Sequence, residues 1–116
     1  MLIKRFDTSS RMSQASQHGN LLVLSGQVSE GLSITEQANN LFKHIDNLLI
    51  KAGTTKSNII YANIFLVDMK EYDTFNSVWD QWIDAENQQS PSRSAIQVVQ
   101  LAKPEWRIEV QVFVGV

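Results

Sequence analysis

Arg93 and Glu109 are the two residues whose types and setting could do chemistry. Arg93 lies in Ser90-Pro91-Ser92-Arg93-Ser94, directly before the strand-like run Ala95 to Leu101. Glu109 lies near the start of a second such run, Arg107 to Val114. A guanidinium placed just after a proline turn can fork onto a carboxylate. A carboxylate on a neighbouring strand can hold or activate a water beside it. Together they would form a site for a small acid-bearing molecule. Spacing alone fits a solvated arginine and an outward-facing glutamate better, so the elements that carry them decide the matter.

Those elements can be read from periodicity. Leu2 to Phe6 is a short edge strand, Asp7 to Ser13 is turn-like, and His18-Gly19-Asn20 is a turn. Leu21 to Val28 reads as a buried strand, with Gly26 marking a bulge or a close backbone approach. Ser33 and Glu36 have capping-box spacing. Ala38, Leu41, Phe42, Ile45, Leu48 and Leu49 follow at helical spacing, and Gly53 stands at the C-cap. Asn58 to Met69 is β-rich and reads as a central strand. Asp68 and Glu71 repeat the cap spacing before a second helix whose apolar face is Tyr72, Phe75, Trp79, Trp82 and Ile83. The last two runs read as an antiparallel pair around Pro104. In the final one Glu109 shares the more polar side with Arg107, Gln111 and Phe113.

Asn76 is the odd member of the second helix. At about 100° per residue it projects inside the apolar stripe. A polar amide there needs a hydrogen-bond partner or a polar cavity. The order β-β-α-β-α-β-β predicts two helices on one face of a mixed sheet, an α+β fold. The other sheet face would be left uncovered and partly apolar, which invites self-association.

Composition narrows the function. At 116 residues the chain fits a single domain, 1–116, with one core. A formal net charge of −2 gives no footprint for nucleic acid or an anionic membrane. The absence of cysteine excludes thiolate metal sites and cysteine nucleophiles. His18 and His44 have no metal-ligand spacing. The polar start and the lack of any long apolar stretch point to a soluble, cytoplasmic protein.

Ser25-Gly26-Gln27 after the first long strand, Phe75-Asn76 in the second helix, Pro91-Ser92-Arg93-Ser94 and Ile108-Glu109-Val110 form an ordered set. In this order and spacing the chain resembles the RidA/YjgF (Rid) family of small imine deaminases, over nearly its whole length. The tryptophan-rich second helix is most similar to a divergent bacterial branch. The resemblance implies a chorismate-mutase-like fold and a barrel-like homotrimer with clefts between subunits. It also implies hydrolysis of 2-imino acids to 2-keto acids and ammonia, without a metal or organic cofactor. In that reading Arg93 clamps the substrate carboxylate, and Glu109 orients or activates water with help from the Ala95 carbonyl. Ser25, Gly26 and Asn76 would line the cleft. Met12 stands where the family commonly has a tyrosine, and Ala95 where it often has a cysteine. A non-catalytic trimer that binds keto acids remains the alternative. The RNA-directed activity reported for some relatives is disfavoured by the net charge.

Overall fold

Two amphipathic helices set the architecture, and each has one face to bury. The computed structural model describes residues 2–116. Its elements are β1 (Ile3–Thr8), β2 (Ser13–His18), β3 (Leu21–Leu24), α1 (Ile34–Ala52), β4 (Ile59–Leu66), α2 (Tyr72–Trp82), β5 (Ser92–Gln97) and β6 (Ile108–Gly115). The strands form one mixed sheet in the order β1-β2-β3-β6-β4-β5. The expected α+β fold, with both helices on one face, is what forms.

The end signals of α1 work as their chemistry requires. Ser33 Oγ accepts from Glu36 N, and Glu36 Oε2 accepts from Leu32 N at 2.6 Å. Gly53 adopts φ 76°, where a side chain would be strained. Its N–H and that of Thr54 return to the Ile50 and Leu49 carbonyls, closing the last turn. Beneath the helices Ala62, Ile64 and Leu66 of β4 and Ile108, Val110, Val112 and Val114 of β6 are fully buried. The alternate residues of both strands are only half-buried and make up the open face.

Four sequence expectations need correction. The first is β2, which was not anticipated: in Ser13-Gln14-Ala15-Ser16-Gln17-His18 only Ala15 is apolar. It exists because antiparallel pairing with β1 and β3 satisfies its backbone on both sides. The second is the antiparallel β5–β6 pair, which does not form. β5 instead pairs parallel to β4, with α2 as the crossover, and takes the sheet edge. β6, apolar at every other position, lies between β3 and β4. Its full alternation suits a central strand, whereas β5 is largely open to solvent.

The third correction concerns strand ends. β3 stops at Leu24 and β4 at Leu66, while β5 starts at Ser92, so Arg93 lies within a strand. The fourth is the start of α2. Asp68 caps a 3-10 turn over Met69–Glu71 by accepting from Lys70 N, and Glu71 is drawn to Arg107 at 2.7 Å.

Candidate functional site

Arg93 is a cation on the helix-covered face. It stands opposite Ala62, which is fully buried under the helices. Residues paired across neighbouring strands point to the same side of a sheet. Helix α2 meets the side chain from above. Arg93 Nη2 donates to Asn76 Oδ1 at 2.8 Å and to the Tyr72 hydroxyl at 3.3 Å. The Trp79 ring centre is 5.0 Å from Arg93 Cζ and that of Tyr72 is 5.8 Å away. Arg93 Nη1 is buried and has no hydrogen-bond partner among the described residues. The amide inside the apolar stripe thus has its partner, and the partner is Arg93. Ala95 pairs with Ile64 on the same face and packs against the core.

Glu109 lies on the other face. It pairs with Phe65, and its neighbours Ile108 and Val110 point down into the core. Burial pushes its carboxyl above the ordinary glutamate range. Gly26 explains how the carboxylate fits: a Cβ built there would come within 2.6 Å of Glu109 Cδ and closer still to Oε2. A side chain at position 26 would thus displace the Glu109 carboxyl, and of the bulge or close approach that the sequence suggests, a close approach to this side chain is present. Gln27 returns the chain to β6 through a two-way backbone bridge with Val110.

Met12, Gly26 and Glu109 line a cleft of about 470 Å³, together with Val28, His44, Ala102 and Trp106. Ser25 is tied to β2: its N–H donates to the Gln14 carbonyl and its Oγ to the Ser13 carbonyl at 2.7 Å. The expected residues therefore fall into two groups. Arg93, Asn76 and Ala95 sit under α2, whereas Met12, Ser25, Gly26 and Glu109 sit around the β3–β6 junction. Within one chain the guanidinium and the carboxylate occupy opposite faces of the sheet.

Gln37 is a residue that motif reading passed over. It is 1% exposed on α1 and holds the long β5–β6 connection in place. Its Nε2 donates to the Gly31 and Glu105 carbonyls, and its Oε1 accepts from Arg107 N at 2.9 Å. This clamps the loop that carries Trp106 to the cleft. The available signal was the one that marked Asn76, a polar amide inside an apolar helical stripe. His44 is exposed on α1 and lines the Glu109 cleft. No group of three or more His, Cys, Asp or Glu among the described residues is placed to hold a metal.

Residues 2–116 match the family described as Endoribonuclease L-PSP. The chain belongs to that family. A RutC family protein of Haemophilus influenzae is 43% identical over 114 residues, covering 95% of each chain. The RutC family protein YoaB of Escherichia coli is 35% identical over the full length of both. The crystal structure of a YjgF family member from Neisseria meningitidis superposes with a TM-score of 0.94 at 35% identity, covering 99% of this chain and 95% of that one. These relatives agree with the RidA/YjgF resemblance. No helix among the described residues is long and apolar enough to cross a membrane.

Proposed function

We propose that this family member hydrolyses 2-imino acids to 2-keto acids and ammonia, at sites completed by a second copy of the chain. The observation that carries the reading is Arg93, a half-buried cation with Nη2 taken by α2 and a buried Nη1 that has no partner among the described residues. An unsatisfied charged donor costs free energy until an anion reaches it, and a carboxylate matches its fork. Glu109 supplies the other half. A carboxyl raised by burial takes up a proton more readily than an ordinary glutamate, which suits a general base.

The chemistry balances with these groups alone. Arg93 holds the substrate carboxylate and so fixes the imine carbon. Glu109 takes a proton from water as the oxygen adds to that carbon. That proton passes to the nitrogen to give a carbinolamine. Glu109 then takes the hydroxyl proton and returns it to the nitrogen as the C=O bond forms and the C–N bond breaks, so that keto acid and ammonia leave. The opposite-face placement of Arg93 and Glu109 supports a site shared between copies. The half-buried open face, with Tyr61, Phe113 and Val23, supports the same reading, and a closed trimer would cover it.

A binding role without turnover is the second reading. It is favoured by Met12, which brings no hydroxyl to the cleft, and by Ser25, whose hydroxyl is committed to Ser13. An RNA-directed role fits poorly with a net charge of −2. The test is an amino acid oxidase or threonine dehydratase generating imino acid in the presence of semicarbazide, which competes for the imine. Diversion of the imine to keto acid, lost in Arg93→Ala, supports hydrolysis. Saturable keto acid binding with no diversion across small, branched and aromatic substrates would move the assignment to binding.

A further inference from the structure

Tyr72, Asn76 and Trp79 are spaced to share one face of α2, and all three reach the same guanidinium. We propose that this face is a cradle that fixes the plane of Arg93, and that Trp79 is its positioning residue. The inference rests on Arg93 as the carboxylate anchor and assigns a further residue to that site. Asn76 and Tyr72 hold one nitrogen, Nη2, which alone would leave the group free to pivot about that bond. The Trp79 face removes this freedom. A guanidinium lies well on an indole, more so where water is excluded, and Trp79 is only 4% exposed.

The ring itself cannot yield. It is wedged by Phe42, Phe75 and Trp82, with centroids 6.1, 6.3 and 5.8 Å away. The rigidity of the aromatic core is thereby passed to the Arg93 guanidinium. A pre-ordered arginine loses little rotamer freedom when a ligand arrives, so the benefit appears in affinity for the carboxylate.

The test compares Trp79→Phe, which keeps an aromatic face, with Trp79→Leu, which keeps apolar volume only. In ligand-free protein, the Arg93 Nε–Hε signal, assigned by its loss in Arg93→Ala, should be displaced by the ring current. That displacement should persist in Trp79→Phe and vanish in Trp79→Leu. The Kd for 2-ketobutyrate and the KM for imino acid should rise about tenfold in Trp79→Leu, a fraction of that in Trp79→Phe, with kcat changed far less. If Trp79→Leu does not fold, Tyr72→Leu, at a half-buried position, should weaken the same signal and raise the same Kd. An undisplaced Arg93 signal in the wild type would overturn the proposal. So would equal losses in the Phe and Leu variants, which would mark Trp79 as packing alone. A wild type with a displaced signal but neither keto acid binding nor turnover would support the cradle and sink the carboxylate assignment instead.

Discussion

Glu109 is a carboxyl held where ionisation is costly, half-buried on the open face and packed against Gly26. Its folded-state pKa is raised by desolvation, so the native state binds this proton more tightly than the unfolded chain does. Below the unfolded pKa both states are protonated and the residue costs nothing. As pH rises through the folded value, the native state is penalised for holding the charge. Glu109→Gln should therefore melt higher than the wild type at neutral pH, with the gap closing toward pH 4, which paired melting curves would reveal. Turnover runs the other way, because water activation needs the ionised form. The kcat of the wild type should fall as pH drops, from a higher pH than an ordinary glutamate would give. In Glu109→Gln that limb should be missing and kcat low throughout, with KM little altered. An unchanged limb in the variant would remove Glu109 from the chemistry. Arg93→Ala should lower kcat/KM roughly 100-fold, the worth of a charged hydrogen-bonded anchor, while leaving the assembly intact by sedimentation. Gly26→Ala should cost about 1–3 kcal/mol by overpacking, if the native state absorbs the clash at all. These residues were legible because each is an odd type for its surroundings. The role of Trp79 was hidden, since a tryptophan in an apolar stripe looks the same whether or not it carries a cation.

Elements differ in how much of their placement is local. Both helices were readable from caps and apolar spacing, and β6 from its alternation. β2 was not, because its sequence is polar and its existence depends on two neighbours far from it in character. The neighbour of β5 was also unreadable. Either strand next to it in sequence could have been its neighbour; the crossover through α2 places β5 beside β4 and leaves a long connection back to β6. That rearrangement is what brings Arg93 beneath α2. The connection is not loose, and Gln37 is the reason. Gln37→Leu keeps the volume and leaves three backbone groups unpaired, so unfolding in urea should show a loss of roughly 3 kcal/mol, about 1 for each group. The variant should also loosen the Trp106 loop, seen as faster amide exchange from Lys103 to Arg107. Normal stability and exchange there would mean that water replaces the side chain without cost.

On the scale of the whole molecule, the sheet divides the proposed chemistry. Arg93 and Asn76 belong to its covered face, Glu109 and Gly26 to its open one, and no side-chain rotation carries a group through a hydrogen-bonded sheet. A chain acting alone therefore cannot apply both to one substrate. Copies arranged in a ring can, if the edge carrying β5 of one meets the β3–β6 junction of the next. Arg93→Ala and Glu109→Ala should each turn over imino acid only slowly by itself. Unfolded together and refolded as a mixture, they should regain activity, because some interfaces then join an intact Arg93 to an intact Glu109. With random assembly each interface needs the right variant on each side, so the recovered rate should approach about a quarter of the wild type's per site. Mixing the folded variants without exchange should recover nothing. Recovery at that level would establish the division of labour between copies. Full inactivity of the refolded mixture, with hetero-oligomers present by mass spectrometry, would mean that both residues serve from one chain, through a rearrangement of β5 that brings Arg93 to the open face.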